Sequence, residues 1–359
     1  MSAVPAPDPG PDAGAVWHYG DPFGEQRCAA TSAVVVDRSH RAVLALGGPE
    51  RQTWLHSLCT QHVADLPDGA GTENLTLDAK GHIQNHWVQT ELSGQTWLDT
   101  EPGRGTPLIE HLRRMVFWAD VTVEPADLAV LTLLGPDRDA PAVLAALGLT
   151  EPLATRALPL PNSAGFVRPD PGLDAVDVLV PRADKAEWLH RLTAAGVRPA
   201  GVWAYEATRV AAHRPRLGVD TDDRSIPHEL NWIGGPAVGA VHLDKGCYSG
   251  QETVARVHNL GKPPRMLVLL QLDGSVDRPA TGDPVTSGGR AVGRLGTVVD
   301  HFELGPIALA LLKRGLPADT PLLTGADSEV SAVIDPDSMP APDAPGAGRL
   351  AVDRLRGRL

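Results

Sequence analysis

The densest chemistry in the chain lies in the run Leu243-Asp244-Lys245-Gly246-Cys247-Tyr248-Ser249-Gly250-Gln251-Glu252-Thr253-Val254-Ala255-Arg256. Gly246 and Gly250 bracket a cysteine and a tyrosine, so the backbone there can turn tightly and approach a ligand. Lys245 beside Cys247, with Arg256 further on, supplies positive charge that favours a thiolate. A helix starting at Gln251 would point its free N–H groups back towards Cys247, which acts in the same sense. The same pattern also fits a buried, inert cysteine at a turn. Upstream, Ser225-Ile226-Pro227-His228-Glu229-Leu230-Asn231 puts a carboxylate on a proline-stiffened loop. There Glu229 can accept two hydrogen bonds from an N–C–N edge, as in a pterin or a guanidinium, although a lone Glu is more often a cap or a surface acid. His213-Arg214-Pro215-Arg216 adds charge suited to a carboxylate ligand, or to a solvated turn.

Charge and composition narrow the function classes. The 359 residues carry 32 Lys and Arg against 44 Asp and Glu, a net charge of −12. Such a chain is a poor general binder of nucleic acid, which needs a basic face. Between Lys245 and Arg265 the balance reverses, with four basic residues and one acid. Three cysteines, Cys28, Cys59 and Cys247, cannot build a disulfide framework or a permanent four-cysteine cluster. His82 and His86 have HxxxH spacing, but on a strand they stand too far apart to share a metal as a helical pair does. No apolar run approaches ~18 residues, so no membrane span is expected. Met1–Ala15 has no basic start and no apolar stretch, so it does not read as a secretory signal, and a cytoplasmic protein is expected.

The elements that must position these residues can be read from periodicity. Glu50 to Val63 has helical spacing at Trp54, Leu55, Leu58 and Val63. Strands are expected around Leu75–Leu77 and Ile83–Trp87, joined at Ala79-Lys80-Gly81, and again over Gln95–Asp99. Thr106–Met115 reads as a helix with Thr106 as cap and Pro107 at its first turn, followed by a strand over Ala119–Val123. A second unit begins near Ala126: strand Leu128–Leu134, helix Ala140–Leu147, strand Leu173–Val180, and helix Ala183–Ala195 closed by Gly196. Val202–Val210 is helical. After Arg265, short runs at Met266–Leu272, Ala291–Val299 and Ile307–Leu312 read as a small all-β barrel or sandwich. Trp54 and Trp118 sit among apolar residues and are expected in the core. Arg349–Leu359 is expected to form a short amphipathic helix.

The KGCYSGQE run, with Val254, Arg256 and Gly261 after it and the IPHE segment before it, resembles the signature of the YgfZ family. These are folate-binding proteins related to the glycine cleavage T-protein and implicated in iron–sulfur cluster assembly or repair. The resemblance covers most of the chain. Leu77-Asp78-Ala79-Lys80-Gly81 is similar to the family's first-domain hairpin. Gly293 to Arg314, with Gly305-Pro306-Ile307-Ala308-Leu309-Ala310, is similar to its C-terminal barrel. The string around Cys247 is the specific part; the hairpin and barrel matches are weaker.

The resemblance implies an α+β fold: a three-domain, T-protein-like ring with a central folate site and a small C-terminal β-barrel. It implies a discontinuous folate-binding core over 17–125 plus 201–262, while the shortage of apolar side chains over 1–16 reads as a disordered tail. A ferredoxin-like domain over 126–200, the barrel over 263–336 and a mobile tail over 337–359 complete the expectation. Tetrahydrofolate or a derivative is the implied cofactor, with no permanent metal site. Glu229 would contact the pterin, Lys245 and Arg256 would favour the anionic glutamate tail, and Tyr248 would pack on a ring. Gln251, Glu252, Asn85 and His86 complete the implied binding set, and Cys247 is the functional thiol. The implied partners are iron–sulfur client or assembly proteins, with no general nucleic-acid binding and no membrane.

One departure bears on activity. Where the T-protein has a GGI-x-DD run, this chain has Gly81-His82-Ile83-Gln84-Asn85-His86. Asn85 cannot take a proton as a carboxylate does, and His86 has a different reach. Comparison with the family therefore implies an accessory protein rather than an aminomethyl transferase. A folate-dependent aminomethyl or one-carbon transferase, including one linked to tRNA modification, is the alternative expectation, and a scaffold with a vestigial folate site a third.

Overall fold

The structure is a computed structural model that describes residues 2–237, 239–274, 278–326 and 330–340. The described residues form three large sheets and one two-stranded sheet. The first has five antiparallel strands in the order Gly71–Leu77, Ile83–Leu92, Gln95–Thr100, Ala42–Gly47 and Thr122–Ala126. Helices Arg51–Leu58 and Gly105–Arg114 close one face over Leu46, Trp87 and Leu98. Leu108 and Leu112, one helical turn apart, are the buried stripe of the second helix. That helix begins one residue before the expected cap: Arg104 holds the cap position without a side-chain bond. Gly105 lies so close to Ala42 that a Cβ there would stand 2.3 Å from the Ala42 methyl.

The second sheet has six strands in the order Leu158–Pro159, Phe166–Pro169, Ala175–Pro181, Leu128–Leu134, Val34–Asp37 and Arg198–Ala200. The unit expected over 126–200 thus takes one strand, Val34–Asp37, from much earlier in the chain. Helices Pro141–Leu147 and Lys185–Ala194 cover one face through Val143, Leu147, Trp188 and Leu192. Helices Pro22–Thr31 and Val202–Ala211 cover part of the other, against Val34 and Val36.

The third sheet is a closed barrel of Arg265–Leu272, Gly305–Lys313, Arg290–His301, Pro284–Ser287, Leu322–Thr324 and Val330–Ile334. It closes because its first strand pairs with both Gly305–Lys313 and Val330–Ile334. The first strand reads as almost wholly apolar for a geometric reason. Met266, Val268, Leu270 and Leu272 fill the barrel, while Leu267 and Leu269 point the other way into a core with Leu309, Leu311 and Trp232.

Two expectations change. The segment over 1–16 is not a structureless tail. Val4–Pro5 pairs with Val16–His18, Ala6 is buried, and the buried Asp12 carboxylate meets His40 at 2.9 Å and Arg216 at 3.0 Å. Few apolar side chains are present, and buried charge pairs tie the segment down instead. Trp54 is in the core as expected, but Trp118 is 97% exposed. Phe117 before it adopts a left-handed φ of 44°, and both rings stand out from the end of the helix. The helix expected over Arg349–Leu359, and most of the tail over 337–359, lie outside the described residues.

Candidate functional site

A lattice of buried ion pairs joins the first sheet, the second sheet and the segment from helix Val202–Ala211 to Asp220. Arg41 bridges Asp99 at 2.8 Å and Glu101 at 2.7 Å within the first sheet. Arg168 reaches from the second sheet to the same Asp99 and to Asp177, the latter at 2.9 Å. Arg216 meets Glu101 at 2.8 Å and Glu206 at 3.0 Å, and Arg209 meets Asp220 at 2.9 Å. Burying so many charges is tolerable because nearly every one has a hydrogen-bonded counter-charge. Burial alone would raise the Glu101 carboxyl, yet Arg216 and Arg41 hold it well below the usual carboxylate range.

This lattice walls a chamber of about 40 Å³, with His86, Glu73, Arg214 and Asp170 also on its wall. A second cavity, of about 400 Å³, shares Arg168 and Asp170 with it. The larger cavity is otherwise lined by Leu66, Pro67, Gly69, Ala70, Gly71, the 154–157 segment, Pro169, Pro171, Pro236 and Ala237. Asp170 stands on the shared wall. Its Oδ1 accepts from the backbone N–H groups of Gly172 and Leu173 at 2.8 and 3.0 Å. Burial and the neighbouring charge of Asp177 push its carboxyl up to about 6.

His86 and Asn85 are neighbours on one strand, so their side chains leave on opposite faces. Asn85 donates to Thr76 Oγ1 at 2.8 Å, inside the sheet. His86 faces the chamber, its Nε2 3.0 Å from Glu73 Oε1. The other oxygen of Glu73 is bound by Arg214. Burial opposes ionisation of Glu73, but the His86 hydrogen bond and the Arg214 charge overcome it and hold the carboxyl at about 2. The His86 ring stacks on Trp232, with centroids 4.7 Å apart and planes 10° from parallel. Its Nδ1 is buried and has no hydrogen-bond partner among the described residues.

Glu229 meets the N–C–N edge of a guanidinium, that of Arg265. Arg265 Nε and Nη2 stand 2.8 Å from its two oxygens, and Oε2 also accepts from the Ile226 N–H. Glu229 is buried, behind the first barrel strand and away from both cavities. Lys245 likewise differs from the expected anion-facing cation. It is buried, and its ammonium donates to the carbonyls of His56, Cys59 and Gln61, satisfying the end of helix Arg51–Leu58. The local excess of positive charge is thus partly spent on the fold, in Lys245 and in Arg265.

The rest of the run forms one turn into the helix Gln251–Leu260. The Lys245 ammonium lies 5.2 Å from the Tyr248 ring, and Gln251 donates to the Lys245 carbonyl at 3.4 Å. Tyr248 is buried; Cys247, Glu252 and Arg256 are exposed. Gly250 has a φ of 79°, and a Cβ there would stand 2.6 Å from the Asp78 carbonyl. The Asp78–His82 turn therefore lies directly against the cysteine-bearing loop. Glu73, Asp170, Asp177 and Arg168 were missed by motif reading. For Asp177 and Arg168 the signal was present, since each interrupts an otherwise apolar strand, Ala175–Pro181 and Phe166–Pro169; Glu73 lies in the polar strand Gly71–Leu77 and Asp170 just past a strand end.

Comparison with known proteins agrees with this architecture. Residues 265–341 match the family described as "CAF17, C-terminal beta-barrel domain". The glycine cleavage system aminomethyltransferase T of Bartonella henselae superposes with a TM-score of 0.80 over 93% of this chain and 92% of its own, at 20% identity. The tRNA-modifying protein YgfZ of Vibrio atlanticus is 24% identical over 80% of this chain and 86% of its own. A chloroplastic protein of Arabidopsis thaliana, described as a transferase, is 26% identical over 76% of this chain. The match spans 65% of that relative, just under two thirds. The fold is thus that of the aminomethyltransferase-like proteins, a mixed α+β architecture ending in a closed six-stranded barrel. Within that class, the cysteine-bearing run resembles the YgfZ signature, and residues 265–341 match the CAF17 barrel family. Among the described residues, no helix is long and apolar enough to cross a membrane.

Proposed function

We propose that this protein binds tetrahydrofolate or a derivative in the larger cavity and acts as an accessory to iron–sulfur cluster assembly or repair in client enzymes. The cavity carries the reading. About 400 Å³ is a usual size for a small-molecule site, and a mostly apolar wall with a few polar groups suits a heteroaromatic ring. Asp170 offers the carboxyl for the donor N–C–N edge of the pterin, the role first expected of Glu229. Arg156, exposed on the rim of the cavity, suits the glutamate tail. The lining of this cavity does not include Asn85, which bonds Thr76 inside the sheet, or Tyr248, Gln251, Glu252 and Arg256, which belong to the cysteine-bearing turn and its helix. The exposed Cys247 thiol is the group offered to a cytoplasmic client.

Titration with tetrahydrofolate, followed by tryptophan fluorescence, tests the binding. Saturation at micromolar ligand, weakened in Asp170→Asn, is expected. No saturable binding by the wild-type protein would sink the folate reading. The cluster role is tested in cells: loss of the gene should lower cluster-dependent activities, and Cys247→Ala should not restore them. Full restoration by Cys247→Ala removes the thiol from the account.

A second reading, folate-dependent one-carbon transfer, draws on the names of the relatives and on the His86–Glu73 pair. Turnover with methylene- or formyl-tetrahydrofolate and an amine or tRNA acceptor would establish it. Absence of turnover across that panel counts against it.

A further inference from the structure

Three histidine rings from separate segments meet beside the cysteine-bearing turn. His56, on helix Arg51–Leu58, packs edge to face with His62, with centroids 4.7 Å apart and planes at 70°. His62 in turn lies 5.7 Å from His242. Lys245 closes the same helix end, its ammonium held by the His56 carbonyl, and Cys247 follows two residues on. The backbone fixes the protons on two of these rings. The Val63 N–H donates to His56 Nδ1 at 3.2 Å, and the Asp244 N–H donates to His242 Nδ1 at 3.1 Å. A neutral imidazole that accepts at Nδ1 carries its proton at Nε2. Burial, and then the Lys245 charge, hold His56 below the usual histidine range, which favours that neutral form. Neither Nε2–H meets an acceptor among the described residues.

We propose that these rings form an anion site, which takes a phosphate or carboxylate group on the Nε2–H donors of His56 and His242, with His62 between them. The polarity of the rings selects an anion over a metal ion. A metal needs the Nε2 lone pair, and moving the proton to Nδ1 would set it against the Val63 or Asp244 N–H. Among the described residues, no group of metal-ligating side chains is placed to hold an ion. The Lys245 ammonium, already saturated by three carbonyls, adds its charge to the site without touching the ligand. Asp65 opposes it only from the Nδ1 side of His62, at 3.3 Å, and is itself 83% exposed. The site is independent of the folate cavity and puts an anionic group next to the segment that leads into Cys247.

Histidine side-chain nitrogen-15 spectra of the full chain provide the test. At pH 7.5 the free protein should show Nε2 protonated and Nδ1 bare in both His56 and His242. Inorganic phosphate and acetate are then titrated in turn at constant ionic strength, with chloride as the control. A saturable shift of both Nε2–H groups is expected with at least one oxyanion. Phosphate ahead of acetate assigns the site to a phosphate ester, and the reverse order to a carboxylate. His56→Asn and His242→Asn keep an acceptor where Nδ1 stood and lose only the Nε2 donor. Each should weaken oxyanion binding by on the order of tenfold, the usual loss of a hydrogen bond to a charged group. A bare Nε2 in the free protein, a response no greater than chloride gives, or undiminished binding by both variants would each overturn the proposal. Stoichiometric zinc binding to these rings with inversion of the tautomers would overturn it too. Tetrahydrofolate affinity should be unchanged in both variants, so either outcome leaves the folate reading to its own experiment.

Discussion

Arg265, on the first barrel strand, closes on Glu229 through two parallel hydrogen bonds of 2.8 Å each. The pair ties the 227–229 turn to the barrel, and Asp222 shares the same guanidinium. A bidentate carboxylate–guanidinium contact on a buried carboxylate is a structural anchor. Glu229→Ala should therefore cost stability, about 1–3 kcal/mol, because Arg265 keeps Asp222 but loses the bidentate half of its counter-charge. A lowered thermal midpoint with unchanged tetrahydrofolate affinity is the expected result. Loss of affinity in a fully folded variant would return Glu229 to the ligand site.

Acid should destabilise the molecule through Glu73 and Asp12. Both carboxyls are held at about 2, against burial, by paired cations. Their folded values lie below their unfolded values, so the stability they contribute is present above the unfolded value of about 4 and is lost as pH falls towards 2. Urea midpoints measured between pH 5 and 3 should drop more steeply in the wild type than in Glu73→Gln.

Asp170 should act in the opposite sense. Its folded value of about 6 exceeds the unfolded value of about 4, so the folded state binds more protons between these limits. Ionisation then costs stability as pH rises through that window, and the cost is complete above it. Asp170→Asn should be more resistant to urea than the wild type at pH 7.5 and close to it at pH 4. The same variant should bind tetrahydrofolate less well, a stability gain at a functional residue.

Removing the Lys245 ammonium leaves three carbonyls at the end of helix Arg51–Leu58 without their donor. Lys245→Met should cost about 1–3 kcal/mol and speed hydrogen exchange over that helix. The alkylation rate of Cys247 should change little, since the ammonium is turned onto the carbonyls and not towards the thiol. A large fall in that rate would restore Lys245 as a group that activates the cysteine.

Gly250→Ala tests the contact between the Asp78–His82 turn and the cysteine loop. Its left-handed backbone and the 2.6 Å approach to the Asp78 carbonyl leave no room for a methyl group. Destabilisation of at least about 1 kcal/mol is expected. Altered protease cleavage should be confined at first to the two loops.

Much of the scaffold was legible before the fold was known, for identifiable reasons. Leu108 and Leu112 mark a helix face by spacing alone, and the short apolar runs after Arg265 mark barrel strands buried on both faces. In the KGCYSGQE run, Gly250 is fixed by local backbone geometry, with a φ of 79°, whereas a Cβ at Gly246 would meet nothing within 4 Å. Trp118 misled because an apolar neighbourhood in sequence says nothing of a left-handed residue that turns the ring outward. The amino-terminal segment misled because its order comes from Asp12, whose partners His40 and Arg216 lie far along the chain.

By itself the sequence determined part of the strand set, most of the helices, and the glycine-bracketed cysteine with the family resemblance it carries. Only the tertiary structure decided what the charged residues do. It gave Glu229 to Arg265, Lys245 to a helix end, and the chamber wall to Glu73, His86 and Asp170. Local pattern records which face of an element is apolar, because that is a property of consecutive residues. The role of a buried charge depends on the counter-charge that folding brings beside it, and here those partners come from distant parts of the chain.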